Sequence, residues 1–515
     1  MNCNIDRASD KLYFLHQRIF AHFLSAEMRS ISAIKAPGLI VSYGDLADKA
    51  MKIAGGLQRL GITDGEGVGL LTSRTADAIA AMLGILACGA HWLPLDPRNP
   101  IERNIRCLND VGCRMLLVDE VSQPGYDAEI ETHLLSKLKT SRAIDQWAIP
   151  EPEALAYSIF TSGSSGMPKR VAINHEAAAN LMDWALDTFG QTGLKRTLCS
   201  TPFSFDVSIF EIFATLSAGG CLELVPSILS LADLPDRNQL TLIAGVPSAM
   251  AALMRFDVDM TGIEEILLAG EATPPGLVQK LFAAGAKRVW NLYGPTEDTV
   301  YSTAQPLTSD TLADVSRYGD VPIGVALPGH VALVLDQDGH EMAPHVVGEL
   351  CLMGVGLASP PHPVPGARPE AHRVDRFEVR HGERLYRTGD RAWKDDGGSL
   401  HFAGRLDDQI KWRGFRIEPQ EITHAICQVP GVLRAEVRLC PCTAGQIDRA
   451  ELVAWVMAST EEDHSALDAE IRKAVTNRLP EWMRPSKFRL VDTLPLGRHD
   501  KLDRRALLHQ QAALG

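Results

Sequence analysis

A Thr/Ser/Gly loop, residues 161–166, follows the apolar run Tyr157, Ser158, Ile159, Phe160, and Lys169 comes three residues later, in the segment YSIFTSGSSGMPKRVAIN. Glycine lets a backbone take positive φ and come close to a ligand. Successive N–H groups and hydroxyls in such a loop form a concavity for an anion, and a lysine adds a mobile positive charge. The spacing is G-x-x-G-x-x-K, which differs from the G-x-x-x-x-G-K-[ST] loop of common NTPases. A Ser/Gly-rich loop also serves as a plain turn, and this segment by itself supports both readings.

The elements that would position such a loop belong to a large protein. At 515 residues the chain exceeds what one core serves, so roughly two to four domains are expected. An apolar content of 45% and a charged content of 22% are those of an ordinary globular protein. A net charge of −13 argues against a nucleic-acid partner held by a basic surface. No apolar run approaches the ~20 residues that cross a bilayer, so no membrane partner is expected. The first residues, MNCNIDRASDKLYF, carry charges where a signal peptide needs an apolar centre. The 10 cysteines form no C-x-x-C pair, and no His cluster completes a zinc site. They read as reduced thiols of a cytoplasmic protein.

From about residue 40 to 320, short apolar runs alternate with helix-like stretches: VGLLT, then an Ala-rich pattern over residues 77–86, then HWLPLD, CRMLLVD, CLELVP, TLIAGVP and EILLAGEA. Alternation of this kind predicts βαβ units, with parallel sheets covered by helices. Ligands of such sheets bind at the carboxyl ends of the strands, where these loops fall. Residues 320–406 turn to Gly, Pro and short strands, a small β subdomain. Residues 407–515 read as a compact α+β module, with helices at residues 418–427 and 464–478 and strands AEVRLC, ELVAWVMA and KFRLVD. The predicted fold is therefore α/β: a large N-terminal domain over 1–406 and a small C-terminal α+β domain over 407–515.

Further segments fall in a distinctive order: SYGDL, GAHWLPLDP, NLYGPTE, YRTGD, GRLDDQIKWRGFRIEPQEI, LPEWMRP and DKLDRRAL. With the Ser/Gly loop, they closely resemble the adenylation domains of nonribosomal peptide synthetases, in the superfamily that also holds acyl-CoA ligases and luciferases. The resemblance spans nearly the whole chain. It implies that a substrate carboxylate attacks the α-phosphate of ATP, pyrophosphate leaves, and a phosphopantetheine thiol then takes the acyl group. It implies that Thr161, Ser162, Gly163, Ser164, Ser165, Gly166 and Lys169 hold the β- and γ-phosphates. Tyr293 would stack on adenine, Thr296 contact the α-phosphate, and Glu297 coordinate Mg²⁺. Gly270, Glu271, Ala272, Asn291 and Gly294 complete the ATP site, with Asp390 on the ribose hydroxyls and Arg405 beside it. Lys501 would bridge the carboxylate and the α-phosphate as a catalytic group. Asp407 falls at the family's hinge, making the small domain mobile, and Gly414 lies where the pantetheine arm approaches for the thioester step. The chain departs from the pattern at Arg170, which follows the loop lysine in place of glycine, at Asp500 before Lys501, and after GVGLA near Ala358.

The resemblance also implies a substrate. Asp206, in FSFDVSIFEIF, falls where amino-acid-activating members bind the substrate ammonium. A buried carboxylate without a partner is costly, and an ammonium would offset that cost; capping of the next helix is the plainer role for such an aspartate. The other implied pocket residues are Val207, Phe210, Ala244, Leu267, Ala269, Leu292, Val300 and Tyr301. None is charged, and three are bulky, so a small or medium apolar amino acid is expected, with L-proline first and alanine, glycine or serine next. A β-amino-acid enzyme, a CoA ligase of the same fold and a catalytically silent nucleotide-binding protein are the alternatives. With no carrier segment after the lysine motif, the expected partner is a separate phosphopantetheinylated carrier protein acting in trans.

Overall fold

Apolar runs of four or five residues become strands buried on both faces. In the computed structural model, which describes residues 13–122, 125–126, 130–163, 166–360, 376–440, 450–459 and 464–495, Gly67–Leu71, His91–Leu95 and Met115–Val118 are buried at every position. This is the pattern of parallel strands with helices on either side. They form a six-stranded sheet in the order Glu131–Leu134, Met115–Val118, Gly67–Leu71, His91–Leu95, Leu155–Thr161, Lys169–Asn174. Gly67 pairs in parallel register with His91, and Val68 with Met115. The Ala-rich pattern is the helix Ala76–Ala87, whose N-terminus is capped by the Thr75 hydroxyl accepting from Ala78 N. The SYGDL segment opens the helix Tyr43–Arg59 with a capping box: the Ser42 and Asp45 side chains each accept from the other's backbone N–H.

A nine-stranded sheet has the order Val325–Ala326, Thr303–Leu307, Arg288–Tyr293, Glu265–Leu268, Leu242–Gly245, Arg196–Cys199, Cys221–Leu224, Ser32–Ala36, Leu39–Ser42. Its centre is parallel, as expected, but both margins are antiparallel. The reason is local: Ser32–Ala36 and Leu39–Ser42, like Arg288–Tyr293 and Thr303–Leu307, are joined by connections too short for a parallel crossover. A five-stranded sheet follows, built from His330–Leu335, Gly348–Gly354, Glu383–Lys394, Phe377–Arg380 and Leu400–Arg405. This is the β subdomain expected from the Gly/Pro-rich composition.

The chain separates into two compact units. The larger takes the chain up to Pro97, Cys107–Phe160 and Arg170–Asp407; the other takes Arg98–Arg106, Thr161–Lys169 and the chain from Asp408. The division falls between Asp407 and Asp408, and two short upstream segments group with the smaller unit, which a linear reading does not anticipate. The smaller unit contains a three-stranded sheet, Val432–Cys440, Glu451–Ala458 and Lys487–Val491, with the helices Pro419–Cys427 and His464–Arg478. Its core includes Ile422, Ile426, Val437, Val456 and Ile471. Among the described residues, no helix is long and apolar enough to cross a membrane.

Candidate active site

The carboxyl ends of three neighbouring parallel strands, Leu242–Gly245, Glu265–Leu268 and Arg288–Tyr293, carry four of the expected pocket residues, Ala244, Leu267, Ala269 and Leu292. Ala244 pairs with Leu267 across the first two, and Leu268 pairs with Asn291 across the next two. Ala244, Leu267, Ala269, Leu292, Val300, Phe210 and Tyr301 are all buried in one apolar core, and Val207 packs against it. The Phe210 and Tyr301 rings meet edge to face at 5.2 Å between centroids. Trp184, Phe189 and Trp290 extend this aromatic wall, with Trp184 at 6.2 Å from Phe210 and 6.3 Å from Tyr301. Nothing in the spacing of these three aromatics marks them as part of the wall; they become neighbours only through the fold.

Asp206 stands at the head of the short helical turn Val207–Ile209, yet its side chain makes no capping hydrogen bond. Its Oδ2 accepts from the Thr296 hydroxyl at 2.6 Å instead. Burial raises the Asp206 pKa and the Glu297 charge raises it further, while the Thr296 hydrogen bond works in the opposite direction. A carboxylate so placed is short of positive charge. Glu297 is itself buried, and the Ala358 N–H donates to its backbone carbonyl at 2.8 Å. The loop after GVGLA, where the sequence departs from the family pattern, therefore fastens the residue expected to hold the metal.

A second group lies at the end of the strand Arg288–Tyr293 and in the five-stranded sheet. The Tyr293 hydroxyl donates to Asp390 Oδ2 at 2.7 Å, and Arg405 donates to the other Asp390 oxygen. Arg405 Nε also donates to Asp407 Oδ1 at 2.6 Å, and Arg376 pairs with Oδ2. Burial opposes ionisation of Asp407, but the two guanidiniums dominate and hold its pKa at about 2. Tyr293, Asp390, Arg405 and Asp407, scattered over 115 residues of sequence, thus form one continuous polar chain. The expected ATP residue Asn291 is tied to its neighbours by side-chain hydrogen bonds. Its amide donates to the Pro322 and Val321 carbonyls at 2.8 and 3.2 Å, and its oxygen accepts from Thr273 at 2.7 Å. Its donors hold the turn before the β subdomain. The Glu271 carboxylate accepts from Ser248 N and Oγ, both at 2.9 Å, with Gly270 and Ala272 on either side of it in the same turn. Gly294 is required by packing: a Cβ there would lie 2.4 Å from the Val300 carbonyl oxygen.

The AMP-binding enzyme family matches residues 26–360 of this chain, which contain the Asp206, Thr296 and Glu297 group. The chain belongs to the AMP-binding enzyme family. AMB antimetabolite synthetase AmbB of Pseudomonas aeruginosa is 36% identical over 502 residues, covering 96% of this chain and 39% of that protein. Phosphinothricin tripeptide synthetase PhsC of Streptomyces viridochromogenes is 35% identical over 489 residues, covering 92% and 43%. The chain therefore spans less than half the length of these curated relatives. The solved structure of a holo nonribosomal peptide synthetase protein containing adenylation and PCP domains, bound to a vinylsulfonamide inhibitor, is similar at a TM-score of 0.80 and 27% identity, covering 96% of this chain and 84% of that one. Within its family this enzyme is of the nonribosomal peptide synthetase adenylation type.

In this AMP-binding enzyme, the Ser/Gly loop and the Gly414 turn belong to the smaller unit. The Ser162 hydroxyl donates to the Arg416 carbonyl at 2.8 Å, and the Thr161 hydroxyl is buried without a hydrogen-bond partner among the described residues. Gly163 is buried, Gly166 has φ +82°, and Lys169 is half-buried at the start of its strand. Gly414 joins the antiparallel pair Ile410–Trp412 and Phe415–Ile417. Ser164, Ser165, Asp500 and Lys501 lie outside the described residues. Arg170, the departure next to the loop lysine, has a plain packing explanation. Successive strand residues face opposite sides, and Arg170 is buried in the larger unit, where Nε donates to Ser158 Oγ at 3.1 Å and Nη2 lies 3.4 Å from His91 Nε2.

Proposed function

We propose that this enzyme adenylates a small apolar amino acid at the expense of ATP and passes the aminoacyl group to the phosphopantetheine thiol of a carrier protein in the cytoplasm. The observation that carries the reading is Asp206: a buried carboxylate with a raised pKa, hydrogen-bonded to the neutral Thr296 hydroxyl and beside an apolar core. An ammonium offers three donors and a compensating charge. The substrate carboxylate oxygen then attacks the α-phosphorus of ATP, the bond to the pyrophosphate oxygen breaks, and aminoacyl-AMP forms. In the second half-reaction a thiolate attacks the acyl carbon, a C–S bond forms, and AMP departs.

Catalysis of this kind rests on positioning and on charge neutralisation. Thr296 is assigned to an α-phosphate oxygen, its hydroxyl turning there from Asp206 once an ammonium takes its place on that carboxylate, and Tyr293, Asp390 and Arg405 offer a preassembled edge for adenosine. The Ser/Gly loop with Lys169 is assigned to the outer phosphates and Lys501 to the reacting centre. Mg²⁺ suits Glu297, a buried carboxylate whose charge already disturbs Asp206 and which would hold the ion, with phosphate and water supplying the other ligands. When bound, it supplies neutralisation of phosphate charge. The bend between the two half-reactions is assigned to Asp407, with Gly414 near the incoming thiol.

The apolar lining leaves charged side chains without a partner. Proline is the first assignment, with alanine, glycine and serine next, in keeping with the bulky Phe210 and Tyr301 rings that meet in this lining. Pyrophosphate exchange with these four acids, and with β-alanine as the β-amino-acid control, tests the assignment. Thioester formation on free coenzyme A in place of a carrier protein would favour the CoA-ligase reading.

A further inference from the structure

Asp298 and His330 form a buried pair that the adenylation reading does not use. The His330 Nδ1 and Asp298 Oδ2 atoms are 3.0 Å apart, with both side chains essentially inaccessible. The second carboxylate oxygen, Oδ1, has no hydrogen-bond partner among the described residues. Gly356 presses directly on the pair: a Cβ there would lie 2.0 Å from His330 Cε1 and 2.8 Å from Asp298 Oδ1. A buried polar pair in such close packing is costly unless its groups are matched, and here each supplies the other's partner.

What it adjoins is a strained turn. Thr299 and Val300 follow Asp298 with φ of +51° and +69°, two successive β-branched residues in the left-handed region. That conformation is unfavourable for such side chains and persists only where the surroundings over-determine it. The surroundings are visible: the Thr299 hydroxyl donates to the Gly356 carbonyl at 2.6 Å, and the Tyr301 N–H donates to the Thr299 carbonyl at 2.8 Å. On one side of the turn are Thr296 and Glu297; on the other are Val300 and Tyr301. His330 begins the strand His330–Leu335, so the pair ties the turn to the five-stranded sheet.

We propose that Asp298 and His330 are positioning residues that hold this turn, fixing the nucleotide-facing Thr296 and Glu297 and the pocket residues Val300 and Tyr301 from one anchor. The inference rests on the adenylation reading. Loss of the anchor therefore affects both ends together: KM rises for MgATP and for the amino acid, and selectivity among amino acids narrows.

The test compares His330→Leu, which removes the donor, with His330→Asn, whose amide nitrogen can replace Nδ1. Thermal midpoint, MgATP affinity by calorimetry, and KM and kcat for exchange with alanine and valine are measured for each. The leucine variant should lose on the order of 10²-fold in kcat/KM, as misplaced groups do, and about tenfold in its discrimination between the two acids. The asparagine variant should recover most of both. A folded leucine variant with wild-type KM values and selectivity overturns the proposal, as does an asparagine variant that is equally impaired. If the leucine variant does not fold, Asp298→Ala removes the acceptor without added bulk and is judged by the same criteria. A wild-type enzyme that binds MgATP but exchanges with no amino acid overturns the adenylation reading, and the MgATP affinities then decide the pair. Failure of the wild type to bind MgATP overturns both.

Discussion

Asp206 concentrates the chemistry of the larger unit in one side chain. Its carboxylate is buried, repelled by Glu297 and hydrogen-bonded by neutral groups such as the Thr296 hydroxyl, so a positively charged ligand would stabilise it. Truncating one partner of a buried charge pair costs about 2–5 kcal/mol. Asp206→Ala should therefore lower kcat/KM for the amino acid by roughly 30-fold or more, while MgATP affinity by calorimetry stays near that of wild type. A variant that loses MgATP binding to the same extent would mean that the carboxylate serves the nucleotide or the fold. Arg170 gives the opposite prediction. Its guanidinium points into the packed sheet, against Ser158 and His91, and burial lowers its pKa. Replacing a buried polar cluster with well-packed apolar groups is often neutral, so Arg170→Met should fold and exchange at close to the wild-type rate. Sequence alone marked Arg170 only as a departure from the family pattern beside the loop lysine; its partners Ser158 and His91 became visible with the fold. Asp206 was legible because its motif is local. The Asp298–His330 pair was not, because its partners are 32 residues apart and meet only when the five-stranded sheet packs on the turn.

Elements were legible where their signal is local. The helix His464–Arg478 and the strand Glu451–Ala458 fall where periodicity and β-branched composition placed them. The antiparallel margins of the nine-stranded sheet were not anticipated, since a strand's own sequence does not say which neighbour it takes. The N-terminal helix Gln17–Leu24 shows a comparable hidden dependence. It enters through His16, which is fully buried against Phe14, Phe20 and His175, with neither ring nitrogen hydrogen-bonded among the described residues. Burial lowers the His16 pKa, with His175 adding to the effect; burial brings His175 to about 4, and burial with Arg170 brings His91 to about 3. A histidine depressed in the folded state takes up its proton only on unfolding. Its neutral form thus favours folding above the ordinary value of about 6.5, and stability falls as pH drops from there towards 4. For His175 the shift corresponds to about 3 kcal/mol by pH 4. His16→Leu, which removes one such group at little packing cost, should flatten this acid limb in urea melts between pH 7 and pH 4.5. An unchanged slope would show that His16 is not among the groups taking up protons.

At the scale of the whole molecule, the chain passes from the larger unit to the smaller one between Asp407 and Asp408. The Arg376 and Arg405 pairs anchor the last residue of the larger unit, and the Tyr293 and Asp390 hydrogen bonds carry that anchor back to the strand ends. The order of motifs was readable along the chain. The grouping of Arg98–Arg106 and Thr161–Lys169 with the smaller unit was not, because it depends on contacts distant in sequence. The central claim, amino-acid adenylation guided by Asp206, is tested most directly by ATP–pyrophosphate exchange across a panel of small amino acids, with Asp206→Ala measured alongside. Exchange supported by one or a few short apolar amino acids, and largely lost in the variant while MgATP still binds, is the predicted result. Exchange driven equally well by a carboxylic acid lacking the amine, or unaffected by Asp206→Ala, would contradict it.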